Sequence, residues 1–160
     1  MAKKQPEPGF ESLLEKARRF CLYRERSRHE TEQKIRTWGV PSSLLQKLMQ
    51  ALEDEKFIND GRFAEIYARS KFNTNKWGKV KIKTYLAQFR IDRGYIDDAL
   101  GQIPDDRYEQ TAFELARKKA ATLKADEDAF SRQVKITHYL LQKGFEAPLV
   151  KRAVEQTRPS

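Results

Sequence analysis

The sequence predicts an all-α protein of three tandem three-helix units, helix-turn-helix-like and stacked as an elongated, bent rod. Three observations carry that prediction. The stretch Lys81-Ile82-x-x-Tyr85-Leu86-x-Gln88 returns 54 residues later as Lys135-Ile136-x-x-Tyr139-Leu140-x-Gln142. The match continues through the next turn and helix, with Ile91 over Phe145, Ile96 over Val150 and Ala99 over Ala153. A shift of 51 brings in an earlier copy, placing Ile35 on Leu86, Trp38 on Phe89, Val40 on Ile91 and Leu45 on Ile96. Unrelated amphipathic helices share a period, but rarely a turn and a following helix in register. No strand-like alternation competes with this reading.

The elements follow in order. Residues 1–9, rich in Lys, Pro and Gly, read as a disordered segment. The first unit spans 10–54. Phe10, Leu13, Leu14, Ala17 and Cys21 share one helical face. Ser27-x-x-Glu30 is a capping box that opens a second helix, running to Trp38 and stopped by Gly39. Pro41-Ser42-Ser43 opens a third, with Leu44, Leu45, Leu48, Met49 and Leu52 on its apolar side.

The second unit spans 55–103. Asn59 or Asp60 caps a helix carrying Phe63, Ile66 and Tyr67. A polar loop then leads through Trp77-Gly78 into a helix from Lys79 to Phe89, with Val80, Ile82, Leu86 and Phe89 as candidate core. A short helix from Asp92 to Leu100 and then Pro104 close the unit. The third unit spans 104–157. Asp105 or Asp106 caps its first helix, Gly144 stops its long second helix, and Pro148 sits in the first turn of the last one. Residues 158–160 form a tail. Each unit offers few apolar positions, so neighbours are expected to complete its core. Trp38, Phe63, Leu86 and Leu140 are expected to be core residues.

Thirty-two Lys and Arg stand against 23 Asp and Glu, a net charge of +9, which points to an anionic partner unless it serves solubility alone. Hydrophobic residues make up 39% and charged ones 34%, a balance that suits thin helical units with much surface. Cys21 is the single cysteine, so no intramolecular disulfide forms, which fits a reducing cytoplasmic setting. No apolar run approaches a membrane span, and the N-terminal stretch lacks the apolar segment of a signal peptide. We therefore expect a cytoplasmic monomer.

The densest positive stretch is Arg69 to Arg93. Arg69, Lys71, Lys76, Lys79, Lys81, Lys83, Arg90 and Arg93 face one acid, Asp92, with Phe72, Trp77, Tyr85 and Phe89 interleaved. Cations grip phosphates and rings stack on bases, although aromatics at helical spacing more often pack inside. Lys79 and Lys83 share one helical face, and Lys81 points elsewhere. The expectation is that Lys76, Lys79, Lys81 and Lys83 lie on the concave face of the array. Arg24, Arg26 and Arg28 form a second cluster that alternates with Glu25 and Glu30, and either a local salt-bridge network or a partner contact fits it. Lys151 and Arg152 form a third. Asp60 and Arg62 read as a cap and a brace between units.

Catalysis finds little support. His29 and His138 are far apart, and His138 stands where the neighbouring unit has Thr84. One Cys and two His give no metal-ligand spacing, and the seven glycines form no phosphate loop. Asp97-Asp98 and Asp105-Asp106 are turn and cap residues first. No enzyme and no cofactor is expected.

Three runs stand out, one in each unit. In the first unit it is Arg26-Ser27-Arg28-x-Glu30-x-x-x-Lys34-Ile35-x-x-x-Gly39-Val40. In the second, Phe57-Ile58-Asn59-Asp60-x-Arg62-Phe63-Ala64-x-x-Tyr67-x-Arg69-Ser70 is followed by Trp77-Gly78-x-x-x-Ile82-x-x-x-Leu86. In the third it is Leu140-x-x-Lys143-Gly144-Phe145. Together they resemble the RecX family, regulators of the RecA recombinase, and the resemblance covers about residues 10 to 157. It implies a curved, all-helical, non-catalytic protein that lies in the groove of the RecA–DNA filament. Such a protein inhibits recombinase, ATPase and coprotease activities and so restrains DNA repair by recombination and the SOS response. Its partners would be the RecA filament and, weakly and electrostatically, single- or double-stranded DNA. Thr31 departs from the usual Leu, and Arg90 from the usual turn Gly, so that turn is expected to differ in geometry. The competing reading is a basic helix-turn-helix DNA-binding protein acting independently of RecA. The opposite charges of Asp97-Asp98 and Lys151-Arg152 in equivalent third helices weigh against it.

Overall fold

The structure, a computed structural model, describes residues 9–159. Of the expected disordered segment only Gly9 falls among them, and Ser160 of the tail does not. The described residues form nine α-helices and no strand, in three triplets. The first unit holds α1 (Phe10–Tyr23), α2 (Arg28–Arg36) and α3 (Ser42–Asp54). The second holds α4 (Asp60–Asn73), α5 (Lys79–Gln88) and α6 (Arg93–Gly101). The third holds α7 (Asp105–Thr122), α8 (Ala129–Lys143) and α9 (Ala147–Glu155). The three helices of each triplet pack on one another.

The repeat is visible in the packing. Ile35, Leu86 and Leu140, superposed by the two shifts, are all completely buried. So are Leu45, Ile96 and Val150, within 3% exposure. Thr31, Ile82 and Ile136 form a third set, at most 1% exposed. The hydroxyl of Thr31 is satisfied by donating to the Ser27 carbonyl at 2.9 Å, so a polar residue occupies an apolar slot without an orphaned group.

Caps follow the expected chemistry with one correction. Ser27 Oγ accepts from Glu30 N at 3.1 Å, and Asn59 Oδ1 accepts from Arg62 N at 2.9 Å. Asn59, not Asp60, is therefore the cap of α4. Neither Asp105 nor Asp106 caps α7: Pro104 precedes the helix, and the two acids lie in its first turn, where they favour the positive end of the helix dipole.

Gly39, Arg90 and Gly144 occupy the same turn of the three units, at φ 72°, 60° and 96°. Arg90 thus adopts the left-handed geometry that its glycine counterparts adopt, which corrects the expectation of a different turn. The residue after it closes the turn in the same way as after Gly144. Ile91 N donates to Leu86 O at 3.3 Å, and Phe145 N to Leu140 O at 3.2 Å. A side chain at positive φ costs about 1 kcal/mol. Arg90→Gly is therefore expected to raise stability by about 1 kcal/mol in urea unfolding. An unchanged midpoint would mean that the arginine side chain offsets the strain.

The cores follow the expectation that every unit borrows from its neighbour only in part. Units two and three share one continuous core, from Phe63 through Leu86 and Ile103 to Ile136 and Val154. The first unit has its own, built on Leu14, Ile35, Leu45, Leu48 and Leu52. That core reaches past α3 to Ile58, with Phe57 packed against it. The physical reason is supply: α3 alone contributes five buried side chains. Trp38, expected in the core, is only half-buried, with Lys16 Nζ 4.4 Å above its ring. Val80 and Ile66 are also outside the core, 51% and 41% exposed. Phe63, Leu86 and Leu140 are buried as expected.

Units two and three meet backbone to backbone. Gly78 N donates to Lys143 O at 2.7 Å and Val80 N to Gly144 O at 3.0 Å. The last carbonyls around α8 thus satisfy orphan donors at the start of α5, and the negative end of one helix meets the positive end of the other. The Tyr108 hydroxyl accepts from Lys79 N at 2.8 Å and donates to Glu146 at 2.5 Å. Burial, and then the neighbouring Glu146, push the Tyr108 phenol far up, so it remains a neutral donor.

Units one and two meet through polar groups. Asp60 Oδ1 accepts from Arg28 N at 2.8 Å, capping α2 from the next unit. Arg62 Nε donates to Glu25 at 2.6 Å, and its fork also reaches the carbonyls of Lys56 and Phe57. The cap-and-brace reading of this pair therefore holds, with Asp60 capping across the joint. Burial pushes the Asp60 carboxyl up, against the Arg28 N–H, which favours its charge.

Candidate functional site

The cations of the middle unit come from α4, from the 74–78 loop and from α5, and the fold divides them into two groups. Trp77 is half-buried and lies between two ammonium groups. Lys71 Nζ is 4.9 Å and Lys81 Nζ 4.4 Å from its ring centroid. Tyr85 packs against the same indole at 4.9 Å. Helix phase explains this: Lys81 and Tyr85 are one turn apart on α5, and Trp77 lies one turn before Lys81. Below them Phe63, Tyr67 and Phe89 form a ring cluster with centroid distances of 5.1 to 5.8 Å. The aromatics thus support the cations from beneath, in line with the packing reading.

Lys79 faces the third unit instead. Its Nζ lies 3.9 Å from Asp105 and 4.8 Å above the Tyr108 ring. Lys76 and Lys83 are exposed, and among the described residues no carboxylate lies within 4 Å of either ammonium. Lys76 holds a left-handed φ of 57° and closes the end of α4, donating from its N–H to Phe72 O at 3.1 Å. Arg69 is exposed on the far flank of α4, where it borders a cleft with Phe72, Ile103 and Arg107.

One further cation joins this site through the junction between units two and three. Lys143, at the end of α8, donates from Nζ to the Asn75 carbonyl at 2.6 Å. Burial, and then the nearby Lys81, hold its ammonium below the usual lysine range. Lys71, Lys81 and Lys143 therefore converge on the 75–77 loop from three helices. No local sequence signal groups Lys143 with residues more than sixty positions earlier. Only the docking of Gly144 on Gly78 brings it there.

The two smaller clusters are largely engaged within the chain. Arg24 pairs with Glu30 and also donates to the Glu25 carbonyl at 2.9 Å. Arg26 lies 3.8 Å from Glu30 and 4.0 Å above the Phe20 ring. Arg28 pairs with Glu53 and lies 3.6 Å from Glu32. These contacts match the salt-bridge-network reading. Arg152 pairs with Glu109 at 2.5 Å, whereas its neighbour Lys151 is exposed. What remains is a compact set of cations on an aromatic base. Such a set can neutralise phosphates, and Tyr85, 38% exposed, offers a ring edge beside it.

Comparison with known proteins gives a consistent result. Residues 59–100 match the family profile of the second three-helix domain of RecX, and residues 105–154 that of the third. The chain is 30% identical over 143 residues to the regulatory protein RecX of Halorhodospira halophila, covering 89% of this chain and 86% of that protein. It is 28% identical over 137 residues to the regulatory protein RecX of Oceanobacillus iheyensis, covering 86% of this chain and 50% of that protein. The chain thus spans about half the length of some curated relatives it matches. Among solved structures, the crystal structure of RecX from Lactobacillus salivarius superposes with a TM-score of 0.86 at 27% identity, covering 95% of this chain and 98% of that one. A second structure, of a regulatory protein RecX, shares the fold at a TM-score of 0.79 and 22% identity, covering 97% of this chain and 80% of that one. No helix among the described residues is long and apolar enough to cross a membrane.

Proposed function

The chain belongs to the RecX family, and on that premise we propose that it is a non-catalytic regulator that binds the RecA nucleoprotein filament in its groove. There it inhibits the recombinase, ATPase and coprotease activities of RecA and so modulates DNA repair and the SOS response. It acts as a cytoplasmic monomer, with direct DNA contacts that are weak and electrostatic. The observation that carries this reading is the convergence of Lys71, Lys81 and Lys143 on the Trp77 loop, beside exposed Lys76 and Lys83, which no carboxylate among the described residues pairs. A RecA–DNA filament is a polyanion, and cations seated in its groove gain from counterion release. Arg69 and Lys151 are further contacts under this reading, whereas Arg24, Arg26, Arg28, Lys79 and Arg152 act mainly through the ion pairs that hold the units in shape.

The test is RecA strand exchange and DNA-dependent ATPase across a salt series, beside a titration on duplex DNA. The variant is Lys76→Glu with Lys81→Glu and Lys83→Glu. Lys79 is left intact, because its contacts to Asp105 and Tyr108 belong to the junction. The parent is expected to inhibit both activities. The variant should keep its helicity, inhibit about tenfold less well and show a salt slope shallower by about 1 to 3. Equal inhibition by the variant at every salt concentration would make this patch a solvated face. Tight duplex binding with RecA unaffected would favour the independent DNA-binding reading.

A further inference from the structure

The exposed face of α8 can be compared with the positions that the repeat superposes on it, in and just before α2 and α5. In the first unit this face reads Glu25, His29, Glu32 and Arg36, and its charges are consumed internally. Glu32 pairs with Arg28 and Arg36, and Glu25 with Arg62. In the second it reads Lys76, Val80, Lys83 and Ala87, a cationic face. In the third it reads Phe130, Val134, Thr137 and Leu141. There Phe130 is 75% exposed, Val134 50% and Leu141 47%. The spacing of four, three and four makes a continuous apolar ribbon along α8. Because the fold requires no particular residue at these positions in the other two units, folding does not account for the ribbon in the third.

The ribbon runs into a groove. Thr137 and Leu141 of α8 and Ala147, Val150 and Val154 of α9 line a cleft of about 290 Å³. Its other edge carries Lys151 of α9 and Arg158 just beyond it, with Glu155 as the one acid among the lining residues. A cleft between two packed helices, with apolar side chains and a basic edge, matches the apolar face of an amphipathic helix that anchors at i, i+4 and i+7. Charge selects among helices. A second copy of this chain would bring one net charge of +9 against another, with the same basic edges meeting.

We infer that the α8–α9 groove of the third unit docks an amphipathic helix with acidic flanks from a partner protein. The apolar face of that helix covers Val134, Thr137 and Leu141, and its carboxylates meet Lys151 and Arg158. This site is separate from the Trp77 loop and does not depend on the filament reading.

The test uses the whole chain and a fluorescent synthetic helical peptide of about 16 residues, long enough to span α8 at ~1.5 Å per residue. Leucines form its apolar stripe and glutamates flank it. A twin peptide carries lysines in place of the glutamates. Saturable binding of the acidic peptide is expected, with amide NMR shifts confined to α8 and α9. Leu141→Glu and Lys151→Glu should each weaken it about tenfold without changing the melting curve, since both residues are exposed. The lysine twin should bind about tenfold less well. Equal binding of the twin, or shifts that map elsewhere, would overturn the proposal. So would self-association in sedimentation equilibrium that Leu141→Glu abolishes, which would assign the groove to a second copy. Binding to phosphatidylcholine–phosphatidylglycerol vesicles in place of the peptide, lost in the same variant, would assign it to a lipid surface.

Discussion

Leu140→Ala is expected to destabilise the second and third units together by about 3 to 5 kcal/mol and to leave the first unit largely intact. Leu140 is fully buried, in the single core that also contains Leu86, Ile96 and Ile136. Removing a buried leucine side chain costs its transfer free energy plus the residual cavity, and the cost is highest where the surroundings cannot collapse. Here α8 is held on both sides, by α7 and α9, so relaxation is limited. The first unit has a separate core, joined to the second through Arg62, Glu25 and the Asp60 cap. Amide hydrogen exchange distinguishes the two regions. Protection should fall across α4 to α9 and persist across α1 to α3. A uniform loss over all nine helices would mean that the polar joint transmits cooperativity and that the two cores unfold as one.

Gly78→Ala is the second large effect, expected at about 3 kcal/mol, the upper end of overpacking. A Cβ at Gly78 would lie 2.3 Å from both the carbonyl carbon and the carbonyl oxygen of Gly144. Those are backbone atoms, so no rotamer change relieves the clash, and the two backbone hydrogen bonds at the junction must lengthen. The same displacement carries Lys143 away from Lys81, so RecA inhibition should weaken along with stability. Gly94→Ala is the internal control. It adds a Cβ in open space on α6 and should stabilise by about 0.5 to 1 kcal/mol. Thermal melts of the two variants with opposite signs would support the junction. Similar melts for both would show that the 78–144 contact yields without cost.

The repeat was legible because its evidence is local and apolar. Ile35, Leu86 and Leu140 lie at matching phases of amphipathic helices, and burial at those positions requires only that each helix face a core. The capping of α2 by Ser27 and of α4 by Asn59 was legible for the same reason, since a cap acts over three residues. The arginines at 24, 26 and 28 were legible only as a choice, because the ion pairs they form with Glu30, Glu53 and Glu32 reach up to twenty-five residues away. Trp38 was misjudged because periodicity places a residue on a face without saying how far a neighbouring Lys16 shields it. Lys143 and the Gly78–Gly144 contact lay beyond sequence reasoning. They depend on two backbones crossing between units, and neither glycine carries a side chain whose pattern could announce the meeting. The independence of the first core was hidden too, because composition reports how many apolar side chains a unit has and not whether they close around one another.

The donors at the start of α5 are satisfied by carbonyls at the end of α8, some 65 positions later in the chain. During synthesis the chain emerges from the ribosome in order, and domains generally fold as units with the N-terminal one first. The first unit can bury its side chains once Ile58 is clear of the exit tunnel. The second cannot finish then, because the start of its middle helix remains exposed until Gly144 has been made. Between those moments the nascent protein holds one finished unit and one waiting unit, with Ile82 and Leu86 incompletely covered. Translation pauses that fall once Ile58 has left the tunnel should therefore leave the first unit folded, whereas the shared core stays exposed to chaperones until Gly144 has left it too.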